Sequence, residues 1–384
     1  MSKKRVCIDI SNVIPGKGGS GGGIATYTFN LIKGINQLIK ISELEIYCIK
    51  HPDFNGFDNF NNVKVINTRV KNKTILQRIY WTHIYLPFFC IRNRINLLHK
   101  VTPELPLFKV CNYMCTLHDL MFDFYLSNRT IKKNLKKKDL IKFYFFKIVT
   151  KHAILISNTI IVPSYSVKEE LIEDYRIKDD KIHVTHEAVE KRNDIKKKSG
   201  MMESEKLHMG VIAAFSPHKG HLKVLEMAHK FIQSGFTNFK ISFRGVPAFP
   251  NYLKEIINLR QKLGLNDHVF IVPFDPKAKL EDIYSEFNLV LLLSEYEGFG
   301  LPVLEAQSYN LPIFCSDIPV FREILGNSGY FIRNNLSARS INKIIADLND
   351  QNLLNTLKME GTSNLNKYSW EKMSAETIHL YRRI

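Results

Sequence analysis

The sequence is poor in the features that would mark a chain as secreted, membrane-spanning or built around a metal. Of its 384 residues only 2 are tryptophan and 6 are cysteine. Cys7, Cys48, Cys90, Cys111, Cys115 and Cys315 are scattered through apolar, strand-like runs, where a reduced thiol behaves as a small hydrophobe. That usage fits a reducing cytoplasm and not a disulfide scaffold. No second Cys or His pair at ligand spacing accompanies Cys111 and Cys115, so no metal site is expected. Acids at Asp-any-Asp spacing, one way of holding a divalent ion against a phosphorylated substrate, are also missing. The apolar stretches around 79–91 and 287–293 are shorter than the ~20 residues that cross a bilayer. The start, Met-Ser-Lys-Lys-Arg running straight into a strand-like segment, lacks the apolar core and cleavage site of a leader, so a cytoplasmic protein is expected.

Acidic residues are scarce in one half only. Residues 1–200 carry 34 Lys and Arg against 18 Asp and Glu, whereas residues 201–384 carry 20 against 19. Almost all of the net charge of +17 is therefore N-terminal, which suits a first domain that faces something anionic. An apolar fraction of 45% with 24% charged residues is that of a globular chain, and the length suits two domains.

The organisation is a repeated α/β alternation. Strand-like runs lie at Arg5–Ser11, Leu44–Ile49, Val63–Asn67, Asn96–Val101, Asn112–Leu117, Asn158–Pro163 and Lys181–Thr185. A second series follows at His208–Phe215, Phe239–Arg244, Val269–Val272, Leu289–Leu293, Pro312–Cys315 and Gly329–Ile332. Helical segments between most of them predict two parallel sheets. The boundaries expected are 1–190 for the first domain, a polar, basic linker over 191–206, 207–365 for the second, and a closing helix over 366–384 that packs back toward the first.

The most informative segment is Ser294-Glu-Tyr-Glu-Gly-Phe-Gly-Leu-Pro-Val-Leu-Glu-Ala306, just past the run Leu289–Leu293. Ligands bind at such carboxyl ends of strands in open α/β sheets. Gly298 and Gly300 allow a sharp bend and close approach, and Pro302 suits a first helical position. The helix then starts with free N–H groups and positive potential suited to a diphosphate. Glu297 on the loop and Glu305 about one turn in can each accept hydroxyls from one extended ligand. Lys219 follows the run His208–Phe215 in Ser216-Pro-His-Lys-Gly220 and is placed to neutralise a phosphate. The glycine-rich segment Gly16–Gly23 has the composition to cradle a phosphate through backbone N–H groups, but it lacks the Gly-Lys-Ser/Thr of an NTPase loop. His118-Asp119 ends the run Asn112–Leu117, with Asp119 expected to orient the loop or the imidazole and not to act as a base.

Glu297-Gly-Phe-Gly-Leu-Pro-Val-Leu-Glu305 resembles the signature of glycosyltransferase family 4, and the likeness spans nearly the whole chain. Gly22-Gly23-Ile24 with Tyr27, Leu117-His118-Asp119-Leu120, Val162-Pro-Ser-Tyr-Ser166, Ser216-Pro-His-Lys-Gly220, Ser316-Asp317 with Glu323 and Tyr368-Ser-Trp-Glu371 match in the same order. The resemblance implies the GT-B fold, two Rossmann-like domains facing across a cleft. It also implies retaining transfer from a nucleotide diphosphate sugar, the co-substrate, with no resident cofactor and no metal. Glu297 and His118 would then touch the transferred sugar, Glu305 the ribose, and Lys219 the leaving phosphate. The N–H groups of Phe299, Gly300 and Leu301, beside Gly298, would hold the sugar and diphosphate, with Gly22 and Gly23 contributing from the other domain. Where many members carry an arginine, this chain has Ala214. His218 stands directly before the lysine as a partial or pH-dependent substitute.

The stretch Arg129–Lys151 holds nine basic residues and one Asp interleaved with Leu135, Leu140, Phe143, Phe145, Phe146 and Ile148. Basic residues of this kind meet anionic headgroups, whereas the alternative is a domain helix with its aromatics in the core. No nucleic-acid reader motif accompanies them. The expected acceptor is a saccharide on a lipid carrier, in surface polysaccharide or lipopolysaccharide assembly at the inner face of the plasma membrane. A nucleotide-sugar epimerase on the same fold, or a non-catalytic nucleotide-sugar-binding partner, are the other readings the sequence allows.

Overall fold

A computed structural model describes residues 3–16, 22–39, 43–68, 74–192, 206–273, 275, 278–333 and 335–383. The chain divides into two compact units, Met1–Ala188 with Ser369–Ile384, and Val189–Tyr368. No helix among the described residues is long and apolar enough to cross a membrane.

The first unit holds a parallel sheet of seven strands: β1 (Lys4–Ile10), β2 (Leu44–Lys50), β3 (Val63–Asn67), β4 (Leu97–Lys100), β5 (Asn112–Thr116), β6 (Thr159–Val162) and β7 (Ile182–Val184). Their order is β3-β2-β1-β4-β5-β6-β7, so the chain starts mid-sheet and reverses direction between β1 and β4. Ligands collect outside the carboxyl ends of strands at such a reversal. Val6, Cys7, Ile8 and Ile10 are all buried, because helices cover both faces of a parallel sheet and leave no polar side. The helices are α1 (Gly23–Leu38), α2 (Ile75–Tyr80), α3 (Leu86–Arg92) after a π-helical turn at Trp81–Tyr85, α4 (Met121–Ser127), α5 (Arg129–Asn134), α6 (Lys137–Ile156) and α7 (Tyr165–Tyr175).

α1 buries Ala25, Thr28, Leu31, Ile32 and Ile35, the three-and-four spacing of one helical face. The basic run forms two helices, α5 and α6, separated by extended backbone at Leu135 and Lys136. Its aromatics divide between core and surface. Phe143 is buried and stacks on Tyr125 with ring centroids 4.8 Å apart. Ile141, Tyr144, Phe145, Ile148 and Leu155 are exposed at three-, four- and seven-residue steps and make a second, outward apolar stripe.

The second unit has a six-stranded parallel sheet: β8 (Leu207–Ile212), β9 (Phe239–Gly245), β10 (Val269–Pro273), β11 (Leu289–Leu292), β12 (Ile313–Ser316) and β13 (Tyr330–Ile332). Its order, β10-β9-β8-β11-β12-β13, repeats the reversal of the first. The helices α8 (His221–Gln233), α9 (Pro250–Lys262), α10 (Leu280–Tyr284), α11 (Leu301–Ser308), α12 (Pro319–Leu325), α13 (Ala338–Asn349) and α14 (Gln351–Asn364) flank it. The last helix, α15 (Trp370–Arg383), belongs to the first unit and packs on α1. Gly34 is the point of closest approach, since a Cβ there would lie 2.1 Å from Ser374 Oγ. The architecture is two Rossmann-like units of the GT-B type. The expected linker falls mostly on residues 193–205, outside the described residues.

Candidate functional site

The chemistry-bearing side chains of the second unit gather at the carboxyl ends of β8 and β11, the two strands that flank its reversal. β8 leads into a single 3-10 turn, Pro217–Lys219, and β11 into the loop that opens α11. The Glu295 amide donates to the His218 carbonyl at 2.7 Å and ties turn to loop. Gly220 makes this closeness possible: at φ +70° its Cα faces the Leu293 carbonyl, and a Cβ would lie 1.9 Å from that oxygen. A backbone atom cannot move aside as a side chain can, so position 220 requires glycine.

The contact so enforced joins Lys219 to Glu297. Lys219 Nζ donates to both carboxylate oxygens at 2.7 Å, and Ser294 Oγ donates to Oε1 at 2.8 Å. The two side chains are 18% and 10% exposed, so the pair sits in a largely dehydrated setting. Gly298 lies between Glu297 and Phe299, whose ring is buried edge-on to Tyr368. Gly300 caps α11 in the left-handed conformation, φ +92°, and Leu301 and Pro302 form the first helical positions. The amino end of α11, where the Val303 amide donates to the Gly300 carbonyl at 2.9 Å, thus follows directly on the loop that carries Glu297.

Glu305 lies one turn further along α11. Tyr284 Oη donates to Glu305 Oε2 at 2.7 Å, and the Tyr284 ring stacks on Tyr309 at 4.7 Å. Arg192 covers the other face of Tyr309 at 4.5 Å. Burial raises the Glu305 carboxyl above its ordinary range, while the Tyr284 hydroxyl and the Arg192 charge pull it down. His218 lies in the 3-10 turn directly before Lys219. Its ring is buried, and that burial, reinforced by the charge of Lys219, lowers its pKa well below the ordinary histidine value.

In the first unit, Gly22 is the cap of α1 and Gly23 its first residue, both exposed; residues 17–21 of the glycine-rich segment lie outside the described residues. His118 follows β5, and its ring meets Tyr27 edge-on at 4.7 Å. Its Nδ1 lies 3.1 Å from Glu187 Oε1, beyond the end of β7. Asp119 turns back on its own loop, its Oδ1 accepting the Met121 amide at 3.0 Å. A buried polar chain continues behind Tyr27. Tyr27 Oη meets Thr116 Oγ1 at 3.3 Å, Thr116 Oγ1 meets His99 Nε2 at 2.9 Å, and His99 Nδ1 meets Tyr381 Oη at 2.6 Å. Burial draws the pKa of His99 down to about 3, so this chain is a neutral network. Asp9 and Lys100, at the ends of β1 and β4, form a fully buried ion pair at 2.8 Å.

Glu187, Tyr284, Ser294 and Arg192 are the site residues that sequence reasoning missed. Ser294 was within reach, since it opens the quoted segment at three residues from Glu297. Glu187 is a single acid in Thr185-His186-Glu187, and nothing local joins it to a histidine 69 positions earlier.

Comparison with known proteins gives two adjoining family matches. The model described as "Glycosyl transferases group 1" matches residues 191–363, and the model described as "Glycosyltransferase Family 4" matches residues 21–192. The chain is 26% identical over 323 residues to a Salmonella typhimurium protein named O-antigen chain mannosyltransferase RfbU, covering 82% of this chain and 84% of that one. Among solved structures it resembles a sucrose-phosphate synthase from Thermosynechococcus elongatus, with a TM-score of 0.74 at 15% identity over 99% of each chain. It also resembles WaaG, described as a glycosyltransferase involved in lipopolysaccharide biosynthesis, with a TM-score of 0.68 at 10% identity over 98% of this chain and 99% of that one.

Proposed function

Because the chain is a family 4-like glycosyltransferase on the GT-B fold, we propose that it moves a hexose from a nucleoside diphosphate sugar to a saccharide acceptor, retaining anomeric configuration and using no metal ion. The names borne by its relatives support surface polysaccharide or lipopolysaccharide assembly as the setting and mannose as the first sugar to test.

The Lys219–Glu297–Ser294 cluster carries this reading. An ammonium has three N–H donors and a carboxylate about four acceptor sites. Lys219 spends two donors on Glu297, which leaves one for a phosphate oxygen; Glu297 accepts three bonds, which leaves a site for a sugar hydroxyl. The diphosphate takes the N–H groups of Phe299, Gly300 and Leu301 at the positive end of α11. As the bond from the anomeric carbon to the phosphate oxygen breaks, negative charge grows on the leaving phosphate. A fixed cation and fixed dipoles stabilise that charge without reorganising. Glu305 accepts the ribose hydroxyls. In the same reading the first unit supplies His118 to the transferred sugar and the N–H groups of Gly22 and Gly23 to the diphosphate.

The acceptor is a lipid-linked saccharide, met at the anionic inner face of the plasma membrane by a cytoplasmic protein. The lysines of α5 and α6 support this, set beside the outward stripe of Ile141, Tyr144, Phe145, Ile148 and Leu155. A thermal-shift panel of nucleotide sugars, GDP-mannose and UDP-glucose first, reads the donor as ligand-linked stabilisation. Transfer to a lipid-linked saccharide from the stabilising donor, undiminished by excess EDTA and with an unchanged anomer in the product, is the expected result. Conversion of the donor alone, with no acceptor needed, would replace this function with an epimerase.

A further inference from the structure

His118 is held by more than its loop. The His118 and Glu187 side chains are 10% and 6% exposed, with Nδ1 facing Oε1 at 3.1 Å. His118 Nε2, on the far side of the ring, is buried and has no hydrogen-bond partner among the described residues. Such an atom costs stability unless something meets it when the protein works. Tyr27 packs edge-on against the ring at 4.7 Å. Tyr27 is in turn anchored through Thr116 and His99 to Tyr381 of α15.

We propose that Glu187 is the positioning residue for His118, fixing its tautomer so that Nε2 accepts a hydroxyl of the transferred sugar. The inference rests on the transferase reading above. A carboxylate only accepts, so the hydrogen between the pair belongs to Nδ1. The hydrogen bond made by one ring nitrogen sets the state of the other, and a neutral imidazole protonated at Nδ1 presents a bare Nε2. A hydroxyl is the sugar group that can donate to it. The pair joins the carboxyl end of β5 to the segment beyond β7, so the ring is aimed by two separate parts of the sheet edge.

The test labels the ring nitrogens of all histidines with 15N in the full chain and reads long-range proton–nitrogen correlations, assigning His118 by its loss in His118→Ala. The expected pattern is a protonated Nδ1 and a bare Nε2; the opposite tautomer overturns the proposal. Glu187→Gln keeps the shape but lets either end of an amide face the ring, the kind of change that leaves geometry intact and loses tautomer control. It is expected to bring in the signature of the other tautomer and to lower kcat about tenfold or more, with KM within about threefold. Wild-type kcat and an unaltered ring signature in that variant would mean that Glu187 only fills space, and full activity of His118→Ala would equally overturn the proposal. If the unaltered protein transfers no sugar from any donor, the transferase reading falls, while the ring signature still decides what Glu187 does to His118.

Discussion

Replacing Lys219 with methionine separates catalysis from architecture, because the same ammonium is asked to do both. Methionine keeps an unbranched stem and removes the charge. Loss of one fixed donor to a developing anion lowers rates by about 10²–10³, or roughly 2.7–4 kcal/mol. Charge on the leaving phosphate grows only in the transition state, so the loss is expected in kcat and less in KM. The variant also strips Glu297 of both lysine hydrogen bonds and leaves it with Ser294 alone. A largely buried acceptor that loses its partner costs about 1–3 kcal/mol. For a unit of this size that is a fall in Tm of about 2–12 °C, at roughly 2–4 °C per kcal/mol. Adding Glu297→Gln removes the stranded charge, so the double variant is expected to recover most of the Tm and none of the activity. The assay is release of nucleoside diphosphate in the presence of acceptor, run well below the Tm of each variant. If Lys219→Met keeps kcat within about threefold while its Tm falls, the lysine is a partner for Glu297 and nothing more.

Two further predictions follow from the same geometry. Burial raises the folded-state value of the Glu305 carboxyl, so its contribution to stability is complete at low pH and is lost as pH rises through that value. Glu305→Gln stays neutral throughout and is expected to melt above wild type at about pH 8, the gap closing toward acid. The same change weakens nucleoside diphosphate binding by roughly tenfold or more, since bonds to a charged acceptor contribute about 1.5–3 kcal/mol; a lower Tm at about pH 8 with unchanged affinity would refute both roles. At the membrane, Lys136, Lys137 and Lys138 together contribute about 3 kcal/mol at about 1 kcal/mol each, so changing all three to Gln is expected to lower partition onto phosphatidylserine vesicles about 10²-fold. Binding that ignores both the variant and added salt would remove the electrostatic part of the argument.

What the sequence discloses and what it conceals follow from how far each interaction reaches along the chain. Each of the thirteen strand runs read from the sequence coincides with an observed strand; central strands such as β4, β6, β11 and β12 are buried on both faces and so are written as continuous runs that need no partner to be recognised. Ends are less secure: β8 stops at Ile212 although the apolar pattern continues to Phe215, since Ala213 and Phe215 still hydrogen-bond alongside the end of β9 without continuing the ladder. The basic run reads as one helical stretch and folds as two, because Leu135 and Lys136 adopt an extended backbone that no proline or glycine announces.

The site divides along the same line. Glu297, Gly300, Leu301 and Glu305 are legible because loop, cap and helix are contiguous, so the local chemistry of one segment places them all. The charge state of His218 is not legible, because it depends on burial that only the packed fold supplies. Nor are the partners: Glu297 meets a lysine 78 positions away, His118 a glutamate 69 away, and His99 a tyrosine 282 away. Those distances carry a consequence for the chemistry. A side chain fixed by its own loop keeps the freedom of that loop, whereas Glu297 and His118 are each pinned from a second strand end of their own sheet. Both contacts are then made before a ligand arrives. That is the condition under which one lysine and one helix terminus can stabilise a departing phosphate, since their dipoles need not reorient as the charge appears.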